Sequence, residues 1–185
     1  MTRADAHKVI EETEQTGKPL AHILLTHGHY DHIGAVKAVR EKFEQAKLCA
    51  HEDEVPMLAN STQNMSWFFN ENVSIPAVDV ALKDGDVITV CGCEVEVLHV
   101  PGHSPGSVCY RFILDDTPDE VFAGDVLFAG SVGRTDFPGG SFERLISGIR
   151  TKLLSLPDDT VLHTGHGEST TVGKEKRTNP FLEDA

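Results

Sequence analysis

The stretch "LLTHGHYDHIGAV", residues 24–36, decides how the rest of this sequence is interpreted. It places four side chains that can bind a metal ion within six positions, namely His27, His29, Asp31 and His32. Imidazole and carboxylate groups are common ligands of divalent metals. His27 and His29 are two positions apart, so on an extended segment both side chains point the same way. One loop offers too few side chains to enclose a metal, so the stretch predicts half of a site.

The residues around this stretch predict alternating strands and helices. "HILLT" (22–26) is an apolar run of strand length, and "KLCAH" (47–51) is a second one. Between them, "IGAVKAVREKFEQA" (33–46) has apolar residues at helical spacing. Residues 4–15 predict an earlier helix, and residues 52–59 a short later one. This order favours parallel pairing of the two strands in a layered fold of strands and helices.

The second half of the chain is richer in predicted strands. The strand candidates are "VITV" (87–90), "CEVEVLHV" (93–100), "GSVCYRFIL" (106–114), "EVFAGDVLF" (120–128) and "DTVLHTGHG" (159–167). An amphipathic helix is predicted over residues 141–156 with Ser141 as its N-cap, and a last short helix should stop near Pro180. We find no internal repeat, linker or low-complexity segment, and therefore predict one domain over residues 1–185.

Two further groups of residues are assigned structural roles. Trp67, Phe68 and Phe69 are consecutive, and clustered aromatic side chains are usually buried, so we expect them in the core or in a packed loop, with a mobile lid as the alternative. The pair Cys91 and Cys93 falls where a hairpin turn is predicted, and its spacing is not that of a zinc knuckle or a redox motif. We therefore expect the four cysteines to be reduced thiols.

Composition and charge exclude several classes of protein. The net charge of the chain is -13, which argues against nucleic-acid binding because phosphate binding needs a basic surface. No apolar run reaches the roughly 18 residues that a membrane helix needs. The N-terminal residues are polar and helix-prone, unlike a secretory signal, so we expect a cytoplasmic protein with no membrane association.

The missing half of the site is expected in three loops that follow predicted strands. His103 lies in "LHVPGHSPGSV", Asp125 in "VFAGDVLFAG", and His166 in "VLHTGHGES". Loops at strand ends along one edge of a sheet converge in space. These residues bring the number of candidate ligands to seven, and a carboxylate such as Asp125 can bridge two metal ions. The donor types suit zinc, with iron or manganese as alternatives.

Taken together, "THGHYDHIGAV", "PGHSPGSV", "FAGDVLF" and "TGHG" resemble the metallo-β-lactamase superfamily. An aspartate rather than a cysteine follows "FAG", and this resembles the compact, glyoxalase II-like bacterial hydrolases of that superfamily rather than true lactamases. The resemblance implies an α+β fold of four layers, an αββα sandwich in which two mixed sheets face each other with helices outside. It also implies a hydroxyacylglutathione hydrolase-like activity on a small-molecule thioester.

The resemblance further implies a role for each candidate ligand. The first metal would be held by His27, His29 and His103, the second by Asp31, His32 and His166, with Asp125 bridging the two. Two divalent metals, zinc foremost, would activate a shared hydroxide as the nucleophile and polarise the substrate carbonyl. Asp31 and Asp125 are accordingly the residues of this chain expected to matter most for catalysis.

The substrate is less well defined by the sequence. Arg134 falls where glyoxalase II enzymes carry a basic residue that contacts glutathione, so we predict a substrate contact there. Thr135 and Asp136 follow it, where those enzymes have an aromatic pair. The motif "GRTDF" is similar to one found in persulfide dioxygenases, so one alternative is a mononuclear-iron sulfur dioxygenase. The other alternative is a hydrolase of another ester or lactone. In the dioxygenase His27, His103 and Asp125 would form a facial triad.

The start of the chain departs from the pattern of the superfamily. Its members begin with a strand hairpin containing an Asp-x-Gly turn, whereas this chain opens at the following helix. We therefore expect a fold that lacks the first strands, either because the sequence is shortened or because the first sheet has no such edge. An uncovered sheet edge exposes backbone groups, which predicts reduced stability or self-association.

Overall fold

The structure is a computed structural model that describes residues 5–183. This part of the chain divides into two units, with the boundary between Leu82 and Lys83. Each unit has a main sheet and buried hydrophobic clusters of its own. The single domain over residues 1–185 stays a prediction.

The sheet of the first unit consists of three short parallel strands in the order β1-β2-β3. The elements of this unit are α1 (Ala6–Gln15), β1 (His22–Leu24), α2 (Tyr30–Ile33), α3 (Val36–Lys42), β2 (Lys47–His51), a 3-10 turn (Glu52–Glu54), α4 (Val55–Leu58), a second 3-10 turn (Ser66–Phe69) and β3 (Val80–Leu82). The predicted parallel pairing of the first two strands is confirmed, with Ile23 opposite Leu48. The sequence pattern does not predict β3. Ala4, included in the predicted first helix, lies outside the described residues.

The predicted apolar spacing after the ligand-rich stretch forms a buried helical face. Ile33, Val36 and Val39 are all at most 4% exposed. Ile33 and Val36 join the cluster around Leu48 and Leu58, whereas Val39 packs in the cluster that contains Ala6 of α1. This burial fixes α2 and α3 on the sheet and thereby positions the loop that precedes them.

The main sheet of the second unit has six strands in the order β11-β10-β7-β6-β5-β4. The elements of this unit are β4 (Val87–Val90), β5 (Cys93–His99), β6 (Val108–Ile113), β7 (Glu120–Gly124), β8 (Leu127–Phe128), β9 (Ser131–Val132), α5 (Phe142–Gly148), a π-helical segment (Ile149–Leu153), β10 (Val161–Thr164), β11 (Thr170–Thr171) and α6 (Val172–Thr178). Neighbouring strands are antiparallel, except that β7 and β10 are parallel. β8 and β9 form a separate two-stranded sheet.

The hairpin between β4 and β5 turns at Cys91 and Gly92, as predicted. Both residues have positive φ angles, 53° and 87°, which is typical of a two-residue hairpin turn. The structure contains all four cysteines as free thiols. Burial raises the pKa of the Cys49 thiol to about 11, and the neighbouring charge of Asp79 adds to this effect.

The strand predicted over residues 120–128 is wrong as a single element. Gly124 has a φ of 51°, a conformation that residues other than glycine rarely adopt, and β7 ends there. The chain then turns at Asp125 and resumes as β8, which pairs with β9. The break places Asp125 in a loop directly after a central strand.

The predicted helix over residues 141–156 begins as expected, and Ser141 caps it by accepting a hydrogen bond from the backbone N–H of Arg144. It does not continue as an α-helix, because the segment from Ile149 is π-helical. Leu145, Ile149 and Leu153 are all fully buried, so the core-facing side of the helix continues into the π-helical segment.

The expectation that the aromatic trio is buried is wrong. Trp67, Phe68 and Phe69 are 60–64% exposed. They lie in a 3-10 turn between Met65 and Asn70, which both have positive φ angles, and this tight turn directs the three rings outward. Of the described ring contacts, the one that ties this turn to another part of its unit joins Phe69 to Tyr30, at 5.5 Å between centroids.

The early strand hairpin of the resembled superfamily, which we expect this chain to lack, is not among the elements that residues 5–183 form, and β1 lies at one edge of its sheet. Both units contain helices and a main sheet. The main sheet of the first unit is parallel and that of the second is largely antiparallel, which confirms the α+β class. Across residues 5–183, no helix is long and apolar enough to cross a membrane.

Candidate metal centre

In the first unit, the loop between β1 and α3 gathers four candidate ligands. His27 and His29 are buried, at 1% and 5% exposed, and their rings are 4.9 Å apart between centroids. The ring of His32, on α2, lies 4.0 Å from that of His27. His32 Nε2 is 3.5 Å from Asp31 Oδ2. The stretch that has four ligand-type residues in sequence therefore also has them as one group in space.

In the second unit, three candidate ligands follow three different strands of the six-stranded sheet. His103 follows β5, Asp125 follows β7 and His166 follows β10. Asp125 Oδ2 lies 3.7 Å from His103 Nε2 and 3.6 Å from His166 Nε2. β7 and β10 are parallel neighbours, so their carboxyl ends reach the same edge of the sheet. The carboxylate of Asp125 thus stands between two imidazoles.

A backbone carbonyl orients the ring of His103. Its Nδ1 is 2.9 Å from the main-chain oxygen of Arg134. A carbonyl oxygen can only accept a hydrogen bond, so Nδ1 carries the proton and donates it. Nε2 is therefore the nitrogen that presents a lone pair on the side of Asp125, the arrangement that metal-binding histidines commonly show.

The donor sets fit divalent metal ions within each unit. Ligand atoms that surround a tetrahedral ion at 2.0–2.1 Å lie roughly 3.3 Å from one another. The distances of 3.5 to 3.7 Å between carboxylate oxygens and imidazole nitrogens are close to that value, and they exceed the usual range of hydrogen bonds. The ligand types, neutral imidazole and carboxylate, suit zinc, iron and manganese alike.

The side chain of Arg134, the predicted substrate contact, is engaged within its own loop. Its guanidinium donates two hydrogen bonds to Asp136, at 2.7 and 2.8 Å, and lies 3.8 Å over the ring of Phe137. These hydrogen bonds lower the pKa of Asp136 to about 2. Arg134 is more than half exposed. Its main chain supports His103, while a substrate contact of its side chain stays a prediction.

Sequence reasoning missed two positions that shape the candidate site. Glu54 is fully buried, and its Oε1 accepts a hydrogen bond from the backbone N–H of Gly28. Gly133 packs so tightly that a Cβ atom there would lie 1.9 Å from the carbonyl oxygen of Asp125. A signal for Glu54 exists in the sequence, since it follows a strand predicted to be the parallel neighbour of β1. No pattern in the sequence around Gly133 predicts this role, because the residue it packs against, Asp125, is eight positions earlier in the chain.

Comparison with known proteins identifies the family of this chain. The family model described as "Metallo-beta-lactamase superfamily" matches residues 2–166. The chain belongs to this superfamily.

Among curated proteins, the chain is 39% identical over 184 residues to hydroxyacylglutathione hydrolase GloC of Haemophilus influenzae, which covers 96% of this chain and 83% of that protein. It is 42% identical over 181 residues to the probable metallo-hydrolase YqgX of Bacillus subtilis, with 96% and 83% covered.

Solved structures agree. The metallo-β-lactamase superfamily fold of this chain matches BLEG-1, described as a B3 metallo-β-lactamase, with a TM-score of 0.87 and 39% identity, covering 97% of this chain and 85% of that one. It also matches TTHA1623 in a di-iron-bound form, with a TM-score of 0.76 and 39% identity, covering 95% and 84%. The chain is therefore a superfamily metallo-hydrolase, and its histidine and aspartate groupings imply divalent metals.

Proposed function

We propose that this superfamily member is a thioester hydrolase with a dinuclear metal centre, acting on acyl-thiol substrates of the hydroxyacylglutathione kind. The observation that carries the proposal is the carboxylate of Asp125, which stands 3.6 to 3.7 Å from an imidazole on either side. Both distances end at Oδ2, and a carboxylate beside two imidazoles can act as a ligand shared by two ions.

The ligands of the proposed centre are those that the resemblance to the superfamily implies. One ion is assigned to His27, His29 and His103, the other to Asp31, His32 and His166, and Asp125 is the bridge. When bound, two divalent ions lower the pKa of a coordinated water and polarise a carbonyl group. The protein contributes the fixed positions of the donors, above all the buried imidazoles of His27 and His103. Zinc is the proposed metal, and the di-iron form of TTHA1623 makes iron an alternative to be measured.

The proposed substrate rests on relatives and on position. GloC of Haemophilus influenzae is named a hydroxyacylglutathione hydrolase, and its similarity covers 96% of the length of this chain. Arg134 is the proposed contact for the glutathione part, since its guanidinium is exposed and its backbone adjoins His103. We propose a small-molecule thioester as the substrate and no macromolecular one.

A second candidate is sulfur dioxygenation at a single iron, favoured by the "GRTDF" stretch and by the facial triad that His27, His103 and Asp125 offer. A third is β-lactam hydrolysis, favoured by the similarity to BLEG-1. Both use residues that the thioesterase proposal also uses, so residue identity does not separate them.

One experiment separates the candidates. The purified protein is analysed for bound metals and assayed in parallel with S-lactoylglutathione, glutathione persulfide under oxygen, and a chromogenic cephalosporin. We expect close to two divalent ions per chain and hydrolysis of the thioester. One iron per chain with oxygen uptake on the persulfide would overturn the proposal, and so would β-lactam cleavage without thioester cleavage.

A further inference from the structure

The loop that carries His27 and His29 rests on a buried glutamate that is not itself a candidate ligand. Glu54 is fully buried at the end of the 3-10 turn that follows β2. Its Oε1 accepts a hydrogen bond of 2.6 Å from the backbone N–H of Gly28. We infer that Glu54 is a positioning residue for the metal centre and sets the geometry of both histidines through the peptide between them.

The topology explains how a residue 26 positions away reaches this loop. β1 and β2 are parallel neighbours, so the chain leaves both strands at the same edge of the sheet. After β1 it enters the ligand loop, and after β2 it enters the 3-10 turn of residues 52–54. The His51 side chain caps this turn by accepting a hydrogen bond from the backbone N–H of Asp53. Glu52 and Asp53 point into solvent, whereas Glu54 points inward.

The contact is tight enough to transmit position. A Cβ atom at Gly28 would lie 3.2 Å from Glu54 Oε1 and from Leu58 Cδ2, so the backbone between the two histidines lies directly on this segment. The next anchor follows two residues later, where the backbone N–H of Tyr30 donates to the carbonyl of Asn64 at 2.8 Å. Gly28 and Tyr30 therefore bracket His29, and each is fixed by a hydrogen bond from outside the loop.

This position requires a side-chain acceptor. The buried backbone N–H of Gly28 needs a hydrogen-bond partner, and Oε1 of Glu54 supplies it. A buried acidic side chain is costly unless its oxygens are bonded, so a residue such as alanine or leucine would be the simpler choice for packing alone. Metal sites lose affinity when the groups that hold their ligands are removed, because ligand positions must be kept to a fraction of an ångström.

The inference rests on the proposed function insofar as His27 and His29 bind metal, and its test reads metal binding directly. Zinc affinity of the metal-free protein is measured by competition with a chromogenic chelator, and the absorption spectrum of the cobalt-substituted protein reports ligand geometry. For Glu54→Ala we expect about 10-fold to 100-fold weaker zinc binding and a changed cobalt spectrum. Glu54→Gln keeps an acceptor oxygen within reach of Gly28 and should restore most of the affinity. Asp53→Ala, on the exposed side of the same turn, should bind zinc like wild type.

Thermal unfolding of the metal-free variants separates positioning from general stability. A role in packing alone lowers the melting temperature but leaves the zinc affinity of the folded protein unchanged, and that result for Glu54→Ala would overturn the inference. If Glu54→Ala does not fold, Glu54→Asp is the test, because it keeps the carboxyl group but withdraws it from Gly28 by one methylene. Wild-type zinc affinity of Glu54→Asp would also overturn the inference, and so would failure of both variants to fold. A wild-type protein that binds no divalent ion would instead refute the proposed function.

Discussion

The two groups of candidate ligands are assembled in different ways. In the first unit, four ligand-type side chains come from one stretch of six residues, and a short loop suffices to bring them together. In the second unit, three side chains come from loops that are 22 and 41 residues apart along the chain, since His103, Asp125 and His166 follow different strands. The first group depends on local backbone conformation, and the second depends on the register of a six-stranded sheet.

This difference predicts different weaknesses. A local group loses its geometry when a contact under its own loop is removed, as proposed for Glu54. A group assembled by a sheet loses its geometry when the loops at the sheet edge are pushed apart, or when the residue between them is deleted. Four substitutions test this contrast, beginning with the largest expected effect.

Asp125→Ala should have the largest effect on activity. This residue stands between two imidazoles, so its loss removes a shared ligand, and the proposed centre forfeits several kcal/mol of charge stabilisation. We expect thioester turnover to fall at least about 100-fold, together with loss of bound metal. Steady-state kinetics and metal analysis check this, with Asp159→Ala, an exposed aspartate of the same unit, as the control. Unchanged activity in Asp125→Ala would refute the whole proposed site.

Gly133→Ala should have the largest effect on folding. The added methyl group would lie 1.9 Å from the backbone oxygen of Asp125, so that loop must move. We expect a loss of about 3 kcal/mol or more in unfolding free energy, together with weaker metal binding. Chemical denaturation measures the first and chelator competition the second.

Gly17→Ala is the matched control. Gly17 has a φ of 65° but no atom within 4 Å of the added methyl group, so we expect a cost of about 1 kcal/mol and no change in metal affinity. If Gly133→Ala and Gly17→Ala lost the same unfolding free energy, a clash between the added methyl group and the backbone of Asp125 would not be the cause of the loss at Gly133.

Asp79→Asn tests the sheet of the first unit. Asp79 accepts a hydrogen bond from the backbone N–H of Leu48 in β2 and pairs with Arg40. The Leu48 hydrogen bond, followed by the charge of Arg40, holds the pKa of Asp79 below its ordinary value of 3.8. At neutral pH we expect the substitution to cost about 1–2 kcal/mol of unfolding free energy, because both partners favour the ionised form.

The pH dependence of this effect has a definite sign. A carboxyl group with a lowered pKa stabilises the fold fully above its ordinary pKa, and the contribution disappears as the pH falls through the lower folded value. The difference between wild type and Asp79→Asn should therefore be constant near pH 7 and shrink below about pH 3.8. Denaturation series at several pH values measure it; a difference that grows in acid would contradict the assignment.

Arg134→Ala should have the smallest effect on stability. Its pair with Asp136 is exposed, and such pairs contribute little to stability because water screens the two charges. If the guanidinium contacts the glutathione part of the substrate, the KM for the thioester should rise with kcat nearly unchanged. Asp136→Ala, which releases the guanidinium, should leave KM the same or lower it. An unchanged KM in Arg134→Ala would remove Arg134 from the proposed substrate site.

Much of the local structure could be predicted from the sequence, because its determinants are close in the chain. The apolar spacing of Val36 and Val39 predicts a buried helical face, and the Cys91–Gly92 turn predicts a hairpin. Predictions failed where a distant or unusual contact decides. Phe69 is exposed because the tight turn around it directs the rings outward, and β7 ends at Gly124 because that residue adopts a positive φ.

The sequence by itself determined which residues can bind metal and which superfamily the chain resembles, because ligand type and short-range spacing are properties of the chain alone. The tertiary structure decided the distances that separate Asp125 from His103 and His166, and it alone revealed that Glu54 lies under the backbone of Gly28. Both arrangements join residues more than 20 positions apart. The sheets bring such residues together, and their register depends on the whole buried core rather than on any short stretch of sequence.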